Sequence, residues 1–567
     1  MRRALAALGI LALLGCVAWI VARSRRGPDY QGPLAALVPQ PAIATVRLGP
    51  LAALFDSLKQ SRAFQELQSN LDFAALMLDE DDWREFIQNS DSRAVQMKLA
   101  VARAFLKRYL NDALLAVVPC PARPERPGLI AVLRTETGFL DDLAQLAATL
   151  YPDLRLTTSA YRGLTLHLYE SKKKRRSFSF TRFGDVVVVS LRTPDLAYLK
   201  DVVDGYHRMR ASGAPARADG APVDRGLLLE AEMAPSALWL AWQAIYPENA
   251  RSLTNAQRAF VSDRLDAFAR AKVNARLGPV ASIQARLEYA EARSDDMRRV
   301  FAVGRSDFPS SNTLPAQSIL AVWLSHPRAP DLIAYICDLV SGWPEAPPAD
   351  EKEAKRREKQ RRKREKRAIE IARVLTLAGA AAGMDLAGEF DPSRLADFAA
   401  AVISVTPGLL APQFQAQFLA ISHEAASRAG AAELAAREGP GGASRAQTPL
   451  GVIEARRAPG ILRLRVGDGA ASQFGLVASG AAPRWIDSGE WRRLVSPAPA
   501  LVYVDLRSLR AALQAVVDSS TMWDEDARED LVRARDTVGA LSVFTAAALS
   551  AHPTSDSLEL RLRFLLD

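Results

Sequence analysis

The sequence predicts an α+β protein: two tandem related modules of mixed sheet and helices behind one N-terminal transmembrane helix. A strand that runs directly into a helix occurs at 39–53 and again at 497–511, and these two stretches align without a gap. Similar units begin near residue 224 and at Pro315, so the spacing between units is nearly equal in the two halves of the chain. Equal spacing of weakly similar units is typical of a tandem duplication.

The strand–helix units carry alternating side chains. In the last unit Val502 and Val504 fall on one face and Tyr503 falls on the other, which is the two-residue period of a half-buried strand. Leu509 and Leu513 then recur at helical spacing. In the unit that begins at Pro315, we expect three side chains to point inward: Leu320, Val322 and Leu324.

Further elements follow in chain order. Helical patterns cover 61–115, 139–150, 194–203 and 422–437, and Pro235 begins another helix, as proline at a first turn does. Runs that are rich in aliphatic and β-branched residues predict strands at 129–133, 164–169, 177–182, 185–190, 227–233, 282–289 and 558–564. The first module therefore covers 39–305 and the second 306–567, with a basic helical insertion at about 344–373.

The N-terminal stretch 1–26 predicts a membrane anchor. Residues 4–22 are uncharged and mostly apolar, and a helix of that length spans about 28 Å, close to one hydrocarbon core. We expect a retained signal anchor in the inner membrane, with the body in the periplasm, because long C-terminal domains translocate largely regardless of charge. A cleaved signal peptide and a lipoprotein anchored through Cys16 are the alternatives. The Gly- and Pro-containing stretch 27–38 then predicts a linker.

Two short basic segments account for the high isoelectric point. The chain has a formal net charge of +9; the segment 351–367 contributes +7 and a five-residue turn contributes +5, so the remainder carries −3. These segments are candidates for binding polyanions, such as anionic lipid or an acidic envelope protein. The alternatives are a solvated helix with internal Glu–Lys/Arg pairs for the first and a solvated turn for the second. The candidate residues are Lys352, Lys355, Arg356, Arg357, Lys359, Arg361, Arg362, Lys363, Arg364, Lys366, Arg367, Lys172, Lys173, Lys174, Arg175 and Arg176.

The chemistry-bearing residues exclude several classes of site. His423 and Glu424 begin a near match to the zinc motif H-E-x-x-H, but Ser427 stands where the second histidine must be. Neither a Walker A motif nor G-x-S-x-G is present, and Cys120 and Cys337 are the only cysteines beyond the anchor. We therefore expect no catalytic residue, no metal and no cofactor. Nucleic acid is not an expected partner, because the basic segments lack interleaved aromatic residues and export separates the body from it.

The layout resembles a group of bacterial proteins that have one N-terminal anchor and an exported body. In that group, strand–helix units of the type P-x-P-A-x-x-x-V-x-L alternate with strands like those at 129–133 and 185–190. The resemblance covers most of 39–567, but its motifs are structural and imply no activity. It therefore transfers no catalytic residue.

Three functional hypotheses follow. The first is a non-catalytic, membrane-anchored envelope protein with a binding or scaffolding role, which the duplicated layout and the lack of a catalytic motif favour. The second is a carrier of lipid or another hydrophobic ligand, which the Ala- and Leu-rich helices favour. The third is a divergent hydrolase, whose sign would be a cleft where distant Asp, Glu, Ser or His side chains converge.

Overall fold

The computed structural model describes a mixture of sheet and helix in two compact units. Unit 1 comprises 1–252 and 268–278, and unit 2 comprises 253–267 and 279–567. The described residues are 30, 32–48, 112–119, 127–134, 154–171, 176–191, 196–211, 227–245, 253–276, 278, 280–302, 314–315, 317–327, 331–332, 334–335, 338, 344, 395–406, 413–422, 424, 444–448, 451–458, 461–467, 494, 498–519, 525–541 and 544–566.

Unit 1 is built on an antiparallel sheet. Its described strands are β1 (Ala44–Leu48), β2 (Asp112–Val118), β3 (Gly128–Arg134), β4 (Leu154–Tyr161), β5 (Leu164–Ser171), β6 (Arg176–Phe183), β7 (Val186–Leu191), β8 (Leu227–Met233) and β9 (Phe268–Arg276). Their pairings give the order β9-β8-β1-β2-β3-β7-β6-β5-β4. Each of these pairings is antiparallel. Short hairpin turns join β4 to β5 and β6 to β7, as antiparallel neighbours allow.

The core of unit 1 lies between this sheet and helix α1 (Ala197–Ala211). Leu199 and Val203 of α1 are fully buried against Ile130 of β3 and Val188 of β7. A 3-10 helix, Leu34–Leu37, packs into the same core, and helix α2 (Pro235–Ile245) follows β8 directly. The sequence predicts a linker over 27–38, but the stretch from Tyr30 to Val38 contributes side chains to the core of unit 1.

Unit 2 is likewise built on antiparallel strands. Its described strands are β10 (Val280–Tyr289), β11 (Leu320–Ser325), β12 (Leu395–Thr406), β13 (Gln413–Ser422), β14 (Ser444–Thr448), β15 (Gly451–Ala458), β16 (Ile461–Val466), β17 (Ala500–Asp505), β18 (Phe544–Pro553) and β19 (Ser557–Leu566). They pair in the order β10-β19-β18-β17-β11-β12-β13-β16-β15-β14.

Four described α-helices belong to unit 2, and two of them have well-formed N-termini. These helices are α3 (Asn255–Leu265), α4 (Ser294–Val300), α5 (Leu506–Asp518) and α6 (Glu525–Ala540). Thr254 and Gln257 form a reciprocal capping box at the start of α3. The Asp505 carboxylate caps α5 by accepting from the Arg507 and Ser508 amides at 3.0 and 3.1 Å. Asp505 is also the last residue of β17, so the strand ends where the helix begins.

The structure confirms the α+β class and most of the predicted strands that it describes. Two element predictions are wrong at their edges: 112–118 is strand β2 although the sequence predicts a helix through 115, and Ser422 closes β13 although a helix is predicted from there. Both segments are Ala- and Leu-rich, and such residues are compatible with either structure until tertiary pairing decides. The predicted insertion at about 344–373 lies almost entirely outside the described residues.

Candidate interaction surface

The sheet of unit 2 has two faces of different character. On β11, Ala321 and Trp323 are buried, whereas Val322 lies half-buried on the opposite face. The core packs on the Trp323 side, where the indole Nε1 donates to the Ala498 carbonyl at 2.9 Å. The prediction that Leu320, Val322 and Leu324 point inward is therefore wrong. The residues on both faces of this strand are apolar. The two-residue period therefore separates the two faces but does not indicate which of them is buried.

Strand register places one continuous apolar row on the less buried face. Residues that pair across antiparallel strands lie on the same side of the sheet. The pairings from β10 to β16 align eight such residues, one from each strand: Ile283, Leu562, Leu549, Val502, Val322, Ala400, Phe418 and Leu464. We call the face that carries this row the apolar face and the opposite one the core face.

Two flanking rows extend the apolar face. One contains Ala281, Phe564, Ala547, Val504, Leu320, Val402, Ala416 and Val466. The other contains Ala285, Leu560, Ala551, Ala500, Leu324, Phe398, Ala420 and Leu462. The three rows carry no polar or charged side chain. With ordinary strand spacing and rise they cover about 34 Å by about 13 Å.

Four of the eight side chains in the central row are exposed to solvent. Ile283, Phe418, Val502 and Leu549 are 42%, 41%, 36% and 44% exposed. A single exposed hydrophobic residue is ordinary, whereas a contiguous patch of about 300–600 Å² on one protein is commonly functional. The projected area of the three rows, about 440 Å², lies in this range, and the apolar face is therefore the candidate interaction surface.

Charged side chains lie on the core face, on both flanks of its apolar centre. On the β13–β16 side, Glu454, Arg463 and Arg465 are 4%, 5% and 3% exposed, and the Arg465 Nε donates to the Gln417 amide oxygen at 3.0 Å. Burial of a charge costs free energy unless partners compensate it. The sheet thus encloses ionic groups on one side while it leaves phenylalanine, leucine and isoleucine in water on the other.

The opposite flank of the core face carries a second polar group. Ser550 Oγ lies 3.1 Å from His552 Nε2, and burial together with Arg561 lowers the pKa of His552. The Glu559 carboxylate accepts from Arg561 at 2.7 and 3.1 Å and from Gln284, and the Arg561 bonds hold the pKa of Glu559 below its usual range. A serine beside a neutral histidine is the start of a nucleophile–base pair, but this carboxylate is committed to Arg561 and Gln284.

His167 of unit 1 is the other perturbed histidine. Its ring stacks on Phe180 at a centroid distance of 4.5 Å and is only 7% exposed. Within the described residues, neither ring nitrogen has a hydrogen-bond partner. Burial lowers the pKa of His167, which keeps the ring neutral and makes it a packing residue of the sheet.

The predicted polyanion site cannot be placed. Every candidate between Lys352 and Arg367, together with Lys172, Lys173, Lys174 and Arg175, lies outside the described residues. Arg176 is the first residue of β6 and pairs with Ser171, so the hairpin that the sequence predicts around the basic turn is confirmed at its strands. The apolar face was missed, although the signal was present: five consecutive apolar residues in β11, with both phases hydrophobic.

No metal or membrane site emerges from the part of the chain that the structure describes. Across those ranges, no three His, Cys, Asp or Glu side chains converge as metal ligands would. None of the helices in those ranges combines the length and apolar character needed to cross a bilayer. The predicted anchor at 4–22 and the three cysteines, Cys16, Cys120 and Cys337, lie outside the described residues.

Comparison with protein-family models, with curated proteins and with solved structures gave no match. The resemblance to bacterial single-anchor exported proteins therefore stays a prediction.

Proposed function

We propose that this chain is a non-catalytic, membrane-anchored protein of the bacterial cell envelope with a binding or scaffolding role, and that the apolar face of unit 2 is its docking surface. The observation that carries the proposal is the central row, in which four large hydrophobic side chains stand exposed in register. Burial of apolar area at about 25 cal/mol per Å² is the main driving force for association of such a face. The anchor at 4–22 would hold the body at the inner membrane, on the periplasmic side.

The shape of the surface favours a protein partner over a lipid. Ligand sites for small molecules are concave and bury about 70–90% of the ligand. An open sheet face can shield only one side of an acyl chain, whereas a helix or sheet of another envelope protein can bury its own apolar stripe there. A carrier of lipid or another hydrophobic ligand is thus the alternative, and it requires an enclosed cavity that a flat face does not supply.

We also infer that the two halves of the chain are related modules. Eight consecutive strands of unit 1, β9-β8-β1-β2-β3-β7-β6-β5, follow the same chain order as β18-β17-β11-β12-β13-β16-β15-β14 of unit 2. Independent origin of so long a shared order is improbable, and this order supports a duplication. The modules are defined by their proposed common ancestry, whereas the units are defined by packing. The boundary between the modules and the boundary between the units therefore need not coincide.

The docking surface is tested by photo-crosslinking in the native envelope. A benzophenone amino acid replaces Leu549 or Phe418 on the apolar face, and Leu240 serves as the matched control because it is 64% exposed on α2 of unit 1. We expect one protein adduct at 549 and 418 that is absent at 240. The variant Leu549→Asp should lose this partner in native mass spectrometry of the protein purified in mild detergent.

Other outcomes of the same experiments would overturn the proposal. A defined lipid adduct in place of a protein favours the carrier, and equal labelling at all three positions removes any role for the apolar face. Labelling of Ser550 by a fluorophosphonate, abolished in Ser550→Ala, contradicts the non-catalytic part.

A further inference from the structure

The chain segment that follows the predicted anchor is fixed to unit 1 at Tyr30. This side chain is 4% exposed, and its ring lies 6.1 Å from that of Tyr206 on α1. Its hydroxyl donates to the Pro33 carbonyl at 2.7 Å, and burial raises its pKa to about 12. Arg134 donates to the Tyr30 and Gly32 carbonyls at 3.4 and 3.0 Å. The position of residue 30 relative to α1 is therefore determined by side-chain packing and by backbone contacts.

The reach of the chain then limits how far this part of unit 1 can stand from a bilayer. Seven residues, and thus eight Cα–Cα steps, separate Ala22, at the end of the predicted membrane segment, from Tyr30. A fully extended chain of that length spans at most about 28 Å. Tyr30, which packs on this end of α1, consequently lies within about 28 Å of the lipid surface if the segment 4–22 is in the membrane.

That end of α1 is basic. Arg208 and Arg210 stand exposed in its last turn, and Arg210 follows Tyr206 by four residues, which places the two side chains next to each other on the helix. Cations in the last turn of any helix also complement the helix dipole. These two arginines therefore do not by themselves indicate a ligand. A second element, however, brings another arginine to the same place, where its guanidinium is paired with Asp204.

The turn between β4 and β5 brings Arg162 to this surface. The Arg162 guanidinium pairs with Asp204 of α1 at 3.0 Å, and His207 Nε2 lies 3.2 Å from the Arg162 carbonyl. Arg162 has φ of 48°, a left-handed conformation that arginine rarely adopts and that asparagine or glycine favours in such two-residue turns. Arginine thus occupies a position that backbone preference assigns to other residues.

We propose that the basic end of α1, formed by Arg208 and Arg210 with Arg162 beside it, lies against the anionic headgroups of the membrane that holds the anchor. The inference rests on the proposed function, because it requires the segment 4–22 to be in the bilayer. A lipid surface is favoured over an acidic protein because the basic end packs on residue 30 and because only seven residues lie between residue 30 and the predicted anchor. Attraction between such a patch and anionic lipid falls off within about one Debye length, so the contact must be close.

The test measures the distance between α1 and the headgroups in the full-length chain, reconstituted in nanodiscs. A fluorophore is attached at Met209→Cys, between the two arginines, or at Ala197→Cys at the other end of α1, about 18 Å away. The three native cysteines are replaced by alanine in both proteins. Headgroup spin-labelled lipid in discs of phosphatidylglycerol and phosphatidylcholine should quench the label at 209 at least about twofold more than the label at 197.

Two further variants separate charge from mere proximity. The substitutions Arg162→Gln, Arg208→Gln and Arg210→Gln together should remove the excess quenching at 209, and so should discs of phosphatidylcholine alone. Equal quenching at 209 and 197 in anionic discs, with the chain still resistant to alkaline carbonate, overturns this inference and leaves the anchor intact. Extraction of the chain by carbonate overturns the proposed anchor and this inference with it.

Discussion

The sheets of unit 1 and unit 2 share a strand order but differ in what covers them. In unit 1 the row that matches the apolar row runs through Ala131 and Val189 to Phe180, and these three side chains are 4%, 2% and 0% exposed. In unit 2 the position that corresponds to Ala131 is Phe418, which is 41% exposed. One topology therefore supports a buried row across β3, β7 and β6 in unit 1 and an exposed Phe418 at the matching position in unit 2, so this exposure is not a requirement of the fold.

The core faces differ as well. Unit 1 places Ile130, Ser190 and Ser179 in one row, and each is fully buried. The corresponding row of unit 2 contains Gln417, Arg465 and Glu454. Replacement of a neutral row by an ionic one costs desolvation, which partners must repay. The same strand order therefore accommodates either a neutral or an ionic buried row. The difference between the two units lies in the side chains and not in the topology.

The largest expected effect comes from the same truncation in the two matching rows. Phe180→Ala removes a fully buried ring from unit 1 and should lower the free energy of unfolding by about 4 kcal/mol. Phe418→Ala on the apolar face should cost less than about 1 kcal/mol, because its ring is already in contact with water. Denaturant unfolding of the full chain, followed by fluorescence, measures both. Equal costs would mean that the apolar face is covered, and the comparison would fail.

A smaller effect distinguishes the core faces. Arg465→Met removes the donor to Gln417 and the cation that stands opposite the buried Glu454 in the strand register, and we expect a loss of about 3 kcal/mol. Ser179→Ala in the matching row of unit 1 should be close to neutral, because the Ser179 hydroxyl has no hydrogen-bond partner among the described residues. The double variant Arg465→Met, Glu454→Leu should recover much of the loss. If it is worse than Arg465→Met alone, the two charges do not compensate each other.

The sequence predicts the strands of both units better than it predicts which face they bury. The alternation in β17 identifies Val502 and Tyr503 as opposite faces, and the structure confirms this, but Tyr503 is the buried one. A period of two marks sides, whereas the covered side depends on elements that are distant in the sequence. The apolar face itself depends on eight strands in register, and no single strand contains that information. The basic segments were the visible local signal, yet all of their residues except Arg176 lie outside the described residues.

The smallest expected effect concerns acid stability and a titratable group that only the unit 1 row contains. Because burial holds the pKa of His167 below its unfolded value, the unfolded chain binds more protons than the folded one as the pH falls through about 6.5. Stability contributed by the neutral ring is fully present above that pH. It decreases with acidification by up to about 1.4 kcal/mol per pH unit, until the folded pKa is reached.

The variant His167→Phe keeps the stack on Phe180 and removes the titration, so its free energy of unfolding should change less than that of the wild type between pH 7.5 and pH 5. His552 in unit 2 also has a lowered pKa, and it adds the same acid sensitivity to both proteins, so the difference between them isolates His167. His207→Gln at the surface of α1 serves as the control. A pH-independent difference between the wild type and His167→Phe would show that the ring is protonated without cost, and unit 1 would then be as open around His167 as unit 2 is around Phe418.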